Sequence, residues 1–152
     1  MADRLVIGVG NDLRGDDGVG QVVARRIELL GLPGVRTLMV TQLTPELVEQ
    51  MTGCELALVV DADVAADAVG VRRVEPGGGG SMTHHVTPDS LVALGASIGL
   101  DLPPTFVLGV PAHEFALGQT LSPRTADAVE AAVAAALALV GPGASAVERS
   151  TR

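Results

Sequence analysis

The sequence predicts a three-layer α/β fold in which a mostly parallel sheet of about five strands lies between helices. Short apolar segments rich in β-branched residues alternate with helical patterns from residue 4 to residue 110, and this alternation is typical of βαβ units. A chain of 152 residues suits one domain with one core. We expect that domain at 1–140 and a disordered tail of small and polar residues at 141–152.

Five segments have the composition of strands, and the first of them predicts a buried parallel strand. They lie at 4–9, 35–40, 56–61, 69–74 and 105–110. The segment 69–74 contains Arg72 and Arg73, so we expect it at the edge of the sheet. It is also the segment most expected to depart from parallel pairing.

Four segments space their apolar residues as helices do, and each has a capping residue, a starting proline or a final glycine. They lie at 18–30 before Gly31, at 44–52 after a Thr44 cap, at 87–98 from Thr87-Pro88, and at 122–140 from Ser122-Pro123.

The charge of the chain excludes several kinds of function. Its formal net charge is -8, and all ten of its basic residues are arginine. Phosphate loops of the Walker type and Schiff-base catalysis both need a lysine. An acidic chain almost free of aromatic residues also lacks the cations and stacking groups of most nucleic-acid binders.

The apolar segments predict no membrane insertion and no export. The alanine-rich run 128–140 is interrupted by Glu130, and no run reaches the roughly 18 apolar residues that a span needs. The first residues lack the pattern of a signal peptide, and a single cysteine, Cys54, agrees with a reducing compartment. We expect a cytoplasmic monomer.

The loop after the first strand carries the first candidate residues, because ligands of open α/β sheets usually bind beyond the carboxyl ends of the strands. This loop, residues 10–20, is dense in glycine and aspartate. Leu13 stands where a dinucleotide-binding fingerprint needs glycine. Asp16 and Asp17 are either caps of the following helix or functional carboxylates.

Further candidates follow the third strand and precede the third helix. Asp61 follows a buried apolar run, with Asp63 as a weaker competitor, and His84 and His85 precede the helix start. Two carboxylates and one imidazole form an oxygen and nitrogen ligand set that suits a divalent transition metal with open positions.

Two other motifs are weak. Ser97 has the spacing of a serine-hydrolase elbow, but that motif needs a strand before the serine, and here a helix precedes it. His113-Glu114 begins like a zinc-peptidase motif, but Leu117 replaces the second histidine.

The chain resembles the hydrogenase maturation endopeptidases over residues 4–140. The motifs of that family occur here in the expected order: Gly8-Val9-Gly10-Asn11, Gly15-Asp16-Asp17-Gly18-Val19-Gly20, Val60-Asp61-Ala62, the histidine region, Leu108-Gly109-Val110-Pro111 and Leu121-Ser122-Pro123.

The resemblance implies an endopeptidase that removes a C-terminal extension from the large subunit of a nickel-iron hydrogenase once nickel is inserted. Its catalytic and metal-contacting residues would be Asp17, Asp61 and His84, although a shift by one residue would give the histidine's role to His85. Family members often have glutamate at the first position, where aspartate is one methylene shorter. The nickel would belong mainly to the precursor, and no organic cofactor is implied.

Two other functions stay open at this stage. A nickel-sensing or nickel-handling module would use the same ligands without hydrolysis, and a related peptidase would act on another precursor. The group that activates the attacking water also stays open, because either the metal or a carboxylate can do so.

Overall fold

Strands and helices alternate as predicted in the computed structural model, which describes residues 3–75, 86–118 and 120–142. The strands are β1 (Arg4–Val9), β2 (Val35–Val40), β3 (Leu56–Asp63), β4 (Gly70–Arg73) and β5 (Thr105–Pro111). The helices are α1 (Val19–Leu29), α2 (Leu47–Met51), α3 (Pro88–Ser97) and α4 (Pro123–Val140), with a 3-10 helix at Gly15–Gly18.

The described strands form one sheet in the order β2-β1-β3-β5-β4. The first four strands in this order pair in parallel, whereas β4 pairs antiparallel with β5 at the edge. The predicted α/β architecture is therefore confirmed, and so is the predicted exception at the edge. The parallel arrangement places the loops that follow β1, β3 and β5 at one end of the sheet.

Helices cover both faces of the sheet and bury two aliphatic clusters. Helices α1 and α4 pack on one face, where Val23, Ile27 and Phe106 are buried. Helices α2 and α3 pack on the other, where Met51 and Leu91 are fully buried. Strands buried on both faces need apolar residues at nearly every position, which explains the uninterrupted apolar runs of β1 and β3.

Two of the predicted helix starts are confirmed by their caps. Thr87 and Ser90 form a reciprocal capping box, in which the Thr87 hydroxyl oxygen accepts the Ser90 N–H at 3.0 Å and the Ser90 hydroxyl oxygen accepts the Thr87 N–H at 2.8 Å. The Ser122 hydroxyl oxygen accepts the Thr125 N–H at 3.4 Å at the start of α4.

Two expectations about helix ends are wrong. The second helix starts at Leu47 without a side-chain cap, because the carbonyl oxygen of Thr44, rather than its hydroxyl, accepts the Leu47 N–H at 3.1 Å. This bond closes a turn before the helix. Leu30, the last residue of the predicted helix 18–30, follows the last helical residue of α1 and is 53% exposed.

Among the described residues, none of the helices has the length and the apolar character that a membrane span requires.

Of the predicted tail at 141–152, only Gly141 and Pro142 belong to the described part of the chain. Its predicted disorder stays a prediction.

Candidate functional site

The loop that follows β1 is held at the carboxyl end of the sheet by glycine. Gly10 has a φ of 144°, and a Cβ there would collide with the carbonyl oxygen of Asp17. A Cβ at Gly20 would collide with the carbonyl oxygens of Val9 and Val60, so α1 can approach the ends of β1 and β3 only without a side chain there. The loop is thereby brought against the end of β3.

Asp17 lies on the 3-10 helix in this loop and is partly buried. Its Oδ2 accepts the backbone N–H of Asn11 at 2.9 Å, across the loop. Neither the 3-10 helix nor α1 has a side-chain cap. The capping role considered for Asp16 and Asp17 is therefore wrong for both residues.

Asp16 is fully buried and ties the loop to the C-terminal part of the chain. Its carboxylate accepts the N–H groups of His113 (2.7 Å), Glu114 (2.8 Å) and Ser122 (2.7 Å). The hydroxyls of Ser122 and Thr125 lie 2.7 and 2.8 Å from its Oδ2. We call these donors and the Asp16 carboxylate the Asp16 cluster.

The Asp16 cluster keeps its carboxylate ionised. Burial alone would raise the pKa of Asp16, but the N–H groups of Ser122, His113 and Glu114 and the Ser122 hydroxyl together lower that pKa well below its usual range. Because the charge is fully solvated by protein donors, Asp16 has a structural role. It fixes the position of the neighbouring Asp17.

Asp61 lies near the end of β3, at the place that the sequence predicts, and is partly buried. Among the described residues, its carboxylate accepts one hydrogen bond, from the N–H of Ala62 at 2.8 Å. Burial raises the pKa of Asp61 to about 6, the Ala62 N–H opposes that rise, and the nearby charges of Asp17 and Asp63 add to it.

The 3-10 helix that carries Asp17 contacts β3, which carries Asp61, although 44 positions separate the two residues in the sequence. Asp63, the weaker competitor, is exposed, and its Oδ1 accepts the N–H of Ala65 at 3.0 Å. Asp17 and Asp61 therefore form an acidic pair at the carboxyl end of the sheet.

The remaining predicted ligand, His84, lies outside the described residues, as does its alternative His85. Both belong to the connection between β4 and α3. Among the residues that the structure describes, no group of three His, Cys, Asp or Glu side chains is placed to hold a metal ion. The choice between His84 and His85 stays a prediction.

Known proteins that resemble this chain were found among solved structures. No family model matches the chain, and no curated protein matches it. Among solved structures, the hydrogenase maturating endopeptidase HybD from E. coli superposes with a TM-score of 0.70 at 21% identity, over 93% of this chain and 94% of that one.

Two archaeal structures agree with this result. The [NiFe] hydrogenase maturation protease HybD from Thermococcus kodakarensis has a TM-score of 0.66 and 21% identity over 91% of this chain and 99% of its own. The hydrogenase 2 maturation peptidase from Thaumarchaeota archaeon SCGC_AB-539-E09 has a TM-score of 0.69 and 23% identity over 94% and 99%.

The chain has the fold of the hydrogenase maturation endopeptidases. The resemblance carried by the sequence motifs is thus confirmed for the fold, over nearly the whole of both chains. Within that fold, the motif around Asp16 and Asp17 is the loop at the carboxyl end of β1, and the Val60-Asp61-Ala62 motif lies at the end of β3.

The two weak motifs have structural roles in this fold. Ser97 ends α3, and its hydroxyl donates to the carbonyl oxygen of Leu94 at 2.7 Å. His113 and Glu114 lie in the loop after β5, where their N–H groups bind Asp16. No local sequence pattern indicates the Asp16 cluster, because the partners of Asp16 lie 97 to 109 positions away along the chain.

Proposed function

We propose that this chain is an endopeptidase that removes a C-terminal extension from the nickel-loaded large subunit of a [NiFe] hydrogenase. The observation that carries this proposal is the Asp17 and Asp61 pair at the carboxyl end of a sheet whose fold matches hydrogenase maturation endopeptidases. The fold that this chain shares with those structures is by itself compatible with many functions. The acidic pair favours a function that involves a bound ligand, because the pair lies where ligands of such sheets bind.

The pair has the chemistry of a site that meets a cation. Asp61 is partly withdrawn from water, has one donor among the described residues and lies near the Asp17 charge, so its ionised form is poorly stabilised. A divalent ion carried by the substrate would remove this repulsion when it reaches the pair. In the proposal, His84 adds an imidazole nitrogen to the two carboxylates, a ligand set suited to nickel.

The same carboxylate suits proton transfer during hydrolysis. A general base works best when its pKa lies near the operating pH, and burial raises the pKa of Asp61 to about 6. In the proposed step, Asp61 takes a proton from the water that attacks the scissile carbonyl carbon. It returns that proton to the nitrogen of the departing extension as the C–N bond breaks. Asp17 and His84 would hold the substrate's metal, and Asp61 would contact it through the carboxylate oxygen that does not take the proton.

The decisive experiment incubates the protein with a nickel-loaded large-subunit precursor from the source organism and looks for the released fragment by mass spectrometry. We expect cleavage of the loaded precursor and none of the nickel-free precursor. Binding of the precursor without a fragment would instead support the non-catalytic nickel module. Cleavage of a different precursor alone would support the related peptidase.

Variants then test the residues. Asp17→Ala, Asp61→Ala and His84→Ala should each lower the cleavage rate by at least about 100-fold, whereas His85→Ala is the matched control and should cleave as the parent does. The exposed Asp12→Ala serves as a second control. Full activity of His84→Ala with loss in His85→Ala would transfer the role to His85.

The proposal also includes action in the cytoplasm as a monomer, without nucleic acid or membrane.

A further inference from the structure

The two faces of β5 differ in how far the protein covers them. Phe106, Leu108 and Val110 point toward α1 and α4 and are fully buried. Val107 and Gly109, which point to the opposite face because side chains alternate along a strand, are only partly buried. The face of β5 on the side of α3 is therefore incompletely covered by the described part of the chain.

On that face, two glycines continue outward from Asp61. Asp61 pairs with Gly109 on β5, and Gly109 pairs with Gly70 on β4. Directly paired residues point to the same face of a sheet, so the three positions form a row from the acidic pair to the edge strand. Beyond Asp61, this row has no side chains.

Backbone conformation does not require either glycine. All glycines with a positive φ in the described ranges lie elsewhere, and a Cβ at Gly70 would meet no atom within 4 Å. A Cβ at Gly109 would lie 3.1 Å from the Asp63 carboxylate, so packing gives a partial reason there. Gly109 lies in the interior of β5, where glycine weakens a strand and often marks a place where another backbone approaches closely, and Gly70 is the first residue of β4.

A cleft of about 250 Å³ lies over these glycines. Its sides include Ala66, Ala68 and Val107, and Asp63 lies at its inner end. At its outer end, the two terminal nitrogens of the Arg72 guanidinium donate to the Asp89 carboxylate at 3.0 and 3.1 Å. This ion pair fixes the first turn of α3 to β4. The cleft has a flat backbone floor, short aliphatic sides and one carboxylate acceptor.

We propose that this cleft, which we call the Gly70 subsite, holds the extended segment of the precursor beside its scissile bond, with a small aliphatic side chain over the glycines. The inference rests on the proposed function. An extended peptide whose cleaved bond lies at Asp61 passes over Gly109 and Gly70 if it continues toward the edge of the sheet. The Asp63 carboxylate can accept one of its N–H groups, and the short side chains of Ala66 and Ala68 leave room for a small side chain of the peptide.

The first test fills the subsite in steps with Gly70→Ala, Gly70→Val and Gly70→Leu. The described residues leave this space open and valine is favoured in strands, so we expect the melting temperature to stay as in the parent. Precursor cleavage should fall with the size of the added side chain, by at least about tenfold in kcat/KM for leucine. Cleavage by Gly70→Leu at the parent rate would overturn the proposal.

A matched control fills a different cleft of about 350 Å³ near the end of α3, which Ala96 and Leu100 help to line. Ala96→Leu adds a similar volume there and should leave cleavage unchanged. A lower melting temperature for Gly70→Val would mean that the protein's own chain fills the subsite, and this too would overturn the proposal.

A second measurement does not depend on cleavage. A synthetic peptide that spans the cleavage junction of the precursor is added, at up to about 1 mM, to the ¹⁵N-labelled protein. We expect shifts of the Gly70 and Gly109 amide signals that Gly70→Leu abolishes at Gly109. Shifts confined to other residues, or none, would overturn the subsite. If the peptide shifts both signals but the parent never cuts a loaded precursor, the proposed function fails and the subsite stands.

Discussion

Asp16 and Asp61 are both withdrawn from water, but their surroundings change their pKa values in opposite directions. The carboxylate of Asp16 lies within hydrogen-bond distance of three N–H groups and two hydroxyls, which outweigh burial and lower its pKa. In the part of the chain that the structure describes, the carboxylate of Asp61 has one N–H donor and an acidic neighbour, and burial raises its pKa to about 6.

This difference separates a carboxylate that holds the fold together from one that is available to a ligand. Donors already saturate Asp16, so a cation would gain little by approaching it. Asp61 lacks compensating charge in the described part of the chain, and a cation or a proton would stabilise it.

The first prediction concerns loss of the saturated carboxylate. Asp16→Asn should lower the free energy of unfolding at pH 7 by about 3–5 kcal/mol, because buried N–H groups then face an amide that cannot accept from all of them. Urea denaturation measures this, with the exposed Asp12→Asn as the control. A loss below that of an ordinary surface substitution would mean that the Asp16 cluster does not hold the two loops together.

The second prediction removes one donor of the Asp16 cluster. Thr125→Val keeps the shape of the side chain but loses the hydroxyl that lies 2.8 Å from Asp16 Oδ2 and 2.9 Å from the Pro111 carbonyl oxygen. We expect a loss of about 1–2 kcal/mol in the same denaturation experiment. When Thr125→Val is combined with Asp16→Asn, the loss of unfolding free energy should be smaller than the sum of the two single losses, since both changes remove the same interaction. Full additivity would contradict a shared cluster.

The third prediction concerns Asp61, whose removal should stabilise the protein. Its folded pKa of about 6 exceeds the ordinary 3.8, so its ionisation costs stability as pH rises from about 4 to about 6. Asp61→Asn should raise the free energy of unfolding at pH 7 by about 1–2 kcal/mol after solvent screening. The gain should vanish below about pH 4, where Asp61 is protonated in both states. A variant less stable than the parent at pH 7 would refute this.

The fourth prediction concerns Asp17 and has the smallest expected effect on stability. Asp17→Asn removes a charge that raises the pKa of Asp61, so the pKa of Asp61 should fall below about 6 while unfolding stability stays within about 1 kcal/mol. Carbon-detected NMR titration of the Asp61 carboxyl measures the pKa. An unchanged pKa would show that the two carboxylates do not interact, which would remove the basis for treating them as a pair.

Most of the fold follows from local sequence signals. The apolar runs of β1 and β3, Thr87-Pro88 and Ser122-Pro123 act within a few residues, so their outcomes can be predicted without the rest of the chain. The sequence places the start of the second helix at residue 44 instead of Leu47, because Thr44 and Pro45 form a turn before the helix. A turn closed by a backbone carbonyl has no specific signal in the sequence.

The site was only partly predictable for a related reason. The position of Asp61 after an apolar strand placed it correctly at the end of the sheet. The separate roles of Asp16 and Asp17 could not be deduced, because these adjacent residues differ only in what distant parts of the chain bring to them. The donors of Asp16 come from residues 113–125, and no local pattern links those residues to position 16.

The reach of the Asp16 cluster along the chain has a consequence for synthesis. The loop that carries Asp17 is made long before the donors of its buried anchor, and that set of donors is complete only when residue 125 has been made and has left the ribosome. Contacts this distant in sequence form late and slowly. A nascent chain that stops short of α4 should therefore contain every residue of the acidic pair and still lack its arrangement. The acidic pair should become competent only when α4 docks.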